Sequence, residues 1–409
     1  MKHTVTWSTL LAQRTQQMQR SSVREFVRLT QRPDVISFAG GLPEPGLFPV
    51  TELASAAESV WSHSAASALQ YGESEGLAAL RDWIAARHSR PGAEIRREQV
   101  LITSGAQQAL SLLGQVLVDA GDQVLVENPT YLALLNAWRP MGADFVGLPT
   151  DAEGLRTDLL AEAESSRAKL AYVIPNFQNP QGTTLSLRRR VALLEWAARQ
   201  GTFLIEDNPY GELRYDGTEV PHMLELAVEL FEAPGNIPIV HVGTFSKVLS
   251  PGLRVGWMVA PLPLLDKLVQ AKQSADLHTS SLNQHLVLAL LQQGVLERLL
   301  PKWRALYRER RDAMLAALHE HAPAGTTWTR PAGGMFIMVT LPSELNARSL
   351  LAKALEHGVA FVPGDEFHLN NAGQNTLRLN FTNVTHAQIR EGIARLGHAL
   401  RAVAKGRST

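Results

Sequence analysis

The residues best suited to chemistry lie in one short stretch, HVGTFSKVLSPGLRVGW, residues 241–257. The apolar residues Ile239, Val240 and Val242 lead into it and predict a buried strand. Thr244, Ser246, Lys247 and Arg254 follow. Two hydroxyls and a guanidinium are good donors to a phosphate, and the arginine offers its donors as a planar fork. The lysine can act differently. An ammonium partly desolvated among positive charges loses its proton more readily and becomes a nucleophile toward a carbonyl. A phosphate beside a lysine that condenses with a carbonyl is the requirement of pyridoxal phosphate (PLP). A Ser-Lys pair alone is usually a solvated loop, so the reading turns on the rest of the chain.

Composition sets the frame. A chain of 409 residues can bury a large core and form two or three domains. Lys+Arg and Asp+Glu are both 39, which gives no support for a nucleic-acid-binding surface. Cysteine is absent, so disulfides, thiol nucleophiles and thiolate metal sites are excluded. The histidines show no H-E-x-x-H spacing, and no metal is expected. No run reaches the ~18 apolar residues that span a bilayer, and the first twenty residues lack a secretory apolar core. The expectation is a cytoplasmic protein with neither nucleic-acid nor membrane partners.

The elements around the lysine read in order. Residues 21–31 predict an amphipathic helix with Arg24 and Arg28 on one face, which could be a solvated basic face. Then ISFAGGLPEPGLFP holds too many turn-formers for a regular element, and Gly40 and Gly41 allow close approach of backbone to a ligand. A capped helix is predicted over 51–64, with Thr51 and Glu52 at its start. Tyr71 precedes a further helix; taken alone, it fits packing. VLITSGAQQALSLLG predicts a strand, a small-residue turn and a helix whose first N–H groups, at Gly105, Ala106 and Gln107, form an anion cup. Residues 122–149 alternate strand, helix and strand, the parallel unit of a doubly wound sheet. Tyr131 follows its first strand, where open α/β sheets place ligands; core packing and ring stacking both fit. Asn179 lies in a proline-rich loop after a buried strand. Asp207 ends the apolar strand 203–205, where a carboxylate can keep a pyridine nitrogen protonated. A long helix is predicted from about 295 to 321, then strands and a last helix over 389–403. Arg378 sits mid-strand, where burial demands a surface position or a carboxylate partner.

These segments resemble the fold-type I PLP-dependent aminotransferases, class I/II. Lys247 and Arg254 match the motif T/S-x-S-K with arginine seven residues on; N-P-x-G at 179–182, D-x-P-Y at 207–210 and L-R-L-x-F around Arg378 also match. The resemblance runs from about residue 21 to the last helix. SFAGGLPEPGLFP, FSKVLSPGLR and ADLHTSSLNQ resemble the 2-aminoadipate/kynurenine subgroup, in particular the 2-aminoadipate aminotransferases of lysine biosynthesis. The resemblance implies an α/β fold, a large doubly wound mostly parallel sheet domain (49–300) plus a smaller α+β domain (301–409), after an N-terminal helix and segment (1–48). It implies PLP as cofactor, with Lys247, Asp207 and Tyr210 catalytic. Cofactor contacts are implied for Gly105, Ala106, Gln107, Tyr131, Asn179, Thr244, Ser246 and Arg254, and for Tyr71 from the neighbouring subunit of a homodimer. Many relatives have serine where Ala106 stands, which removes one hydroxyl contact. Substrate contacts are implied for Gly40, Gly41, Asn179 and Arg378, with Arg24 reading a distal carboxylate. The implied reaction moves an amino group between 2-aminoadipate or glutamate and a 2-oxo acid such as 2-oxoglutarate, with leucine or aromatic donors tolerated. The alternatives are an aromatic or branched-chain aminotransferase, a PLP lyase, and a PLP-sensing regulator domain.

Overall fold

The computed structural model describes residues 7, 10–20, 34–91, 94–163, 167–231, 238–370 and 372–405. The helix expected over 21–31, with Arg24, lies outside the described residues.

Eight strands form the large sheet: Val100–Thr103 (β1), Gln123–Asn128 (β2), Asp144–Asp151 (β3), Gly154–Leu155 (β4), Leu170–Val173 (β5), Phe203–Asp207 (β6), Ile239–Thr244 (β7) and Gly256–Val259 (β8). Their order is β1-β8-β7-β6-β5-β2-β3-β4. The run from β7 to β3 is parallel, whereas β8 runs antiparallel to both β7 and β1. β1, β5 and β7 are buried along their whole length, as strands covered on both faces should be. Helix Ala106–Leu117 (α1) follows β1 and buries Leu110, Leu112 and Leu113. Leu132–Trp138 (α2) links β2 to β3, and the Trp138 indole N–H donates to Leu110 O at 2.8 Å, locking α2 onto α1. Leu187–Gln200 (α3) links β5 to β6. This parallel strand–helix alternation is the doubly wound sheet that the sequence predicts.

A 27-residue helix, Val295–His321 (α4), leads to a second sheet. Its strands Thr327–Trp328 (β9), Phe336–Thr340 (β10), Val362–Pro363 (β11) and Thr376–Asn380 (β12) are antiparallel in the order β9-β10-β12-β11. Ala347–Glu356 (α5) and His386–Lys405 (α6) pack together, and α6 also packs along α4. The N-terminal segment is tied here as well. Ile36–Ser37 pairs in parallel with Val359–Ala360, and Asn380 N donates to Phe38 O at 2.9 Å. That tether lays Gly40 and Gly41 over the carboxyl ends of the large sheet's strands.

One local expectation is corrected. The helix expected over 51–64 spans Val50–His63, and Pro49 occupies its N-cap without any side-chain cap. Pro49 O accepts the first helical bond, from Leu53 N at 2.7 Å, so Thr51 already lies inside the first turn. Among the described residues, no helix is long and apolar enough to cross a membrane.

Candidate active site

A cavity of about 290 Å³ opens where the parallel strands end. Gly41, Ala106, Gln107, Tyr131, Asn179, Asp207, Tyr210, Thr244, Ser246, Lys247, Arg254 and Arg378 all line it, although they come from distant parts of the sequence. The reason is topological. Parallel strands deliver the residues after β2, β5, β6 and β7 to one edge, and β1 delivers the start of α1. Gly40 lies beside Gly41, and Gly105 lies behind Arg254. Tyr71 stands apart from this cavity: it is 78% exposed and edge-on to His278, ring centres 5.8 Å apart.

Lys247 follows β7 in a turn held by its apolar neighbour. Phe245 is buried 4.7 Å from the Trp257 ring, and its N–H donates to Val255 O at 3.1 Å. Lys247 Nζ donates to Gly41 O at 2.9 Å. Burial first, then the positive charges of Arg378 and Arg254, lower its pKa to about 8. A pKa lowered from 10.5 to about 8 raises the free-amine fraction at neutral pH about 300-fold.

The anion corner adjoins it. Thr244 Oγ1 donates to Ser246 Oγ at 3.0 Å and accepts from Ser246 N at 3.1 Å. Arg254 has a left-handed backbone (φ 52°), and its Nη2 donates to Ser104 O at 3.1 Å. Gly105 sits beneath at φ 82°, where a Cβ would stand 2.5 Å from Arg254 Nη2. Only glycine leaves this space open at the start of α1.

Two adjacent acids on β6 behave differently because their side chains alternate across the sheet. Glu206 accepts from Met223 N (2.9 Å), Leu224 N (3.1 Å) and His241 Nδ1 (3.0 Å), all away from the cavity. Burial alone would raise its pKa, but His241, His222 and those donors outweigh it and hold it at about 2. Asp207 is the cavity's carboxylate. Tyr172 Oη donates to its Oδ2 at 2.6 Å, while Oδ1 is buried without a partner. Burial raises the Asp207 pKa to about 6, against the pull of Tyr172 and His241.

Arg378 is buried mid-strand on β12. Its Nη1 donates to Asn179 Oδ1 at 2.7 Å and its Nη2 to Ala39 O at 2.9 Å, leaving Nε unpaired. The guanidinium carbon lies 4.2 Å from the Phe336 ring centre and 4.8 Å from that of Phe367. Among the described residues it has no carboxylate partner. Burial lowers its pKa to about 10. Tyr210 is buried edge-on to Phe336, and burial raises its pKa above the usual phenol range.

Sequence reasoning missed Tyr172, Phe336 and Phe367. Tyr172 pairs with Ile205, so it stands diagonal to Asp207 on the same sheet face; one tyrosine in the run LAYV was the available signal. Phe336 and Phe367 reach Arg378 only through tertiary packing.

These residues fit PLP. An orphaned buried carboxylate oxygen suits a protonated ring nitrogen, a cradle without Cβ beside an arginine suits a phosphate, and a low-pKa amine suits the carbonyl. The family model for class I and II aminotransferases matches residues 33–396. A 2-aminoadipate transaminase of Thermus thermophilus is 44% identical over 398 residues, covering 97% of this chain and 98% of its own length. An aromatic-amino-acid aminotransferase of Thermococcus litoralis is 42% identical, covering 94% and 92%. The solved structure of LysN, the alpha-aminoadipate aminotransferase of Thermus thermophilus complexed with N-(5'-phosphopyridoxyl)-L-leucine, superposes with a TM-score of 0.91 at 42% identity, covering 98% of this chain and all of that one. The matched span takes in both sheets and every strand that reaches the cavity, and the chain therefore belongs to the class I and II aminotransferases, with pyridoxal phosphate as its cofactor.

Proposed function

We propose that this chain moves an amino group between 2-aminoadipate or glutamate and a 2-oxo acid such as 2-oxoglutarate, with leucine and aromatic amino acids as further donors. One observation carries the amino-acid reading. A buried guanidinium, backed by two aromatic rings and without a carboxylate partner among the described residues, lies beside the lysine. Its remaining donors suit a substrate α-carboxylate. The acidic donor is favoured by the 2-aminoadipate relatives, and the broader range by the aromatic-amino-acid relative and the leucine conjugate of the solved structure.

PLP, when bound, supplies the carbonyl that takes up the amine and the ring that accepts electrons from the α-carbon. The protein's residues do the rest. Arg254, Ser246, Thr244 and the first N–H groups of α1 hold the phosphate. Tyr131 would face the ring, Asn179 and Tyr210 would donate to its oxygen, and Asp207 would keep its nitrogen protonated. Lys247 Nζ would hold the cofactor's carbonyl carbon and, once freed by the substrate amine, would serve as the base for the proton of the substrate α-carbon. Arg378 and Asn179 orient the substrate carboxylate, with Gly40 and Gly41 leaving room above it. Arg24 reads the distal carboxylate. The active form is a cytoplasmic homodimer in which Tyr71 completes the neighbour's phosphate site, and residues 49–300 and 301–409 act as its large and small domains.

A donor panel tests this reading. With 2-oxoglutarate as acceptor, kcat/KM for L-2-aminoadipate should exceed that for L-leucine and L-phenylalanine, and Arg24→Ala should narrow the gap. Equal turnover by Arg24→Ala and wild type on 2-aminoadipate would remove Arg24 from the account. Release of ammonia or carbon dioxide in place of a 2-oxo acid would replace the reaction type.

A further inference from the structure

We propose that Tyr172 is a positioning residue for Asp207: its hydroxyl fixes Oδ2 and keeps the carboxylate an anion, leaving Oδ1 free for the cofactor's ring nitrogen. The inference rests on the functional reading above and deepens it.

The geometry is specific. Tyr172 lies on β5 with its side chain buried, and its Oη stands 2.6 Å from Asp207 Oδ2, the short distance of a charge-assisted bond. The register Tyr172↔Ile205 puts the phenol diagonal to Asp207 on the same sheet face, so a rigid ladder fixes both ends. The other groups around Asp207 offer no substitute. Glu206, on its own strand, raises its proton affinity, and Tyr210 is a second buried phenol. On β7, His241 lowers it through charge but directs Nδ1 to Glu206 Oε2 at 3.0 Å. Tyr172 therefore supplies the hydrogen bond that an ionised Asp207 needs in a buried site. Its own proton is firmly held, since burial and then Asp207 itself raise its pKa well above the phenol range. Toward an ionised carboxylate, which can only accept, a phenol that stays protonated is the donor, and the oxygen it engages is Oδ2. The bond also restrains rotation of the carboxylate, because Oδ2 cannot leave without stranding a buried hydroxyl.

A hydrogen bond to a charged group corresponds to about one to two pH units in ionisation. The test is binding of pyridoxamine 5'-phosphate, which cannot attach to Lys247, to the cofactor-free full-length protein from pH 5 to 9, followed by tryptophan fluorescence. Wild-type affinity should fall as pH drops through about 6, where Asp207 protonates. In Tyr172→Phe that acid limb should move upward by about one to two pH units, with affinity at pH 7 down roughly 2–10-fold. A merely structural tyrosine would weaken binding equally at every pH, and an unmoved limb overturns the proposal. If Tyr172→Phe does not fold, 3-fluorotyrosine placed at position 172 keeps the shape with a more acidic hydroxyl, and the limb should move down; no movement is again a refutation. A wild-type protein that binds no pyridoxamine 5'-phosphate at any pH would instead bring down the functional reading itself.

Discussion

Replacing Arg378 separates substrate recognition from the rest of the chemistry. Arg378→Ala removes two hydrogen bonds, to Asn179 Oδ1 and Ala39 O, and the cation above Phe336. The fold should tolerate this, because burial already disfavours the charge, lowering its pKa to about 10. The substrate loses more. Each charge-assisted bond to a carboxylate is worth about 1.5–3 kcal/mol, so a bidentate pair is worth about 3–6 kcal/mol. Water entering the vacated space returns part of that, which leaves a fall of roughly 10²–10⁴ in kcat/KM for L-2-aminoadipate. Arg378→Lys keeps the charge but loses the fork and should cost about 10–100-fold. The control donor is 5-aminopentanoate, which has the same distal carboxylate and no α-carboxylate. Its slow turnover should be nearly unchanged by Arg378→Ala. A loss under about tenfold on 2-aminoadipate, or equal losses on both donors, would refute the assignment.

The attachment of PLP to cofactor-free enzyme should accelerate about tenfold per pH unit up to about 8 and level off above it, as Lys247 loses its proton; a rate flat from pH 6 to 9 contradicts this. The stability sign is opposite to that of a paired lysine. The folded pKa of about 8 lies below the unfolded ~10.4, so folding gains stability as pH rises from 8 to ~10.4, and Lys247→Met should raise the Tm of the cofactor-free protein below pH 8, with the gain shrinking above. Glu206→Gln should cost about 1–3 kcal/mol in urea unfolding at pH 7 while cofactor binding persists. Its folded pKa of about 2 is below the unfolded value, so that stability is present above pH ~4.3 and is lost as pH falls toward 2. On the proposed homodimer, Tyr71→Ala and Lys247→Ala should each be inactive alone, and mixing their subunits should restore activity through one intact site; no recovery in verified mixed dimers would assign Tyr71 to its own chain.

The legible parts of this site were those written in local sequence. Strand ends announce themselves because a fully apolar run stops at polar residues, as at Asp207 and Thr244, and parallel topology then brings those ends together. Lys247 and Arg254 belong to one turn, so their spacing was informative. Asp207 stands out over Glu206 by its register with D-x-P-Y; in the structure Asp207 lines the cavity, while Glu206, its side chain on the other face of the strand, accepts from Met223 N and Leu224 N. What escaped was tertiary. Arg378 was expected to need a surface position or a carboxylate; the structure buries it against Phe336 and Phe367 with amide and carbonyl acceptors, a solution no local pattern encodes. Thr51 looked like a cap by residue type, yet Pro49, whose ring fixes φ, takes the N-cap two residues earlier.

The central claim, reversible transfer of an amino group through PLP, is tested most directly by the visible absorption spectrum of the purified holoenzyme. Adding L-2-aminoadipate should bleach the band of lysine-bound cofactor and raise the ultraviolet band of its aminated form, and 2-oxoglutarate should restore the original spectrum. A cofactor band that is unchanged by 2-aminoadipate, glutamate, leucine and aromatic amino acids alike would contradict the account.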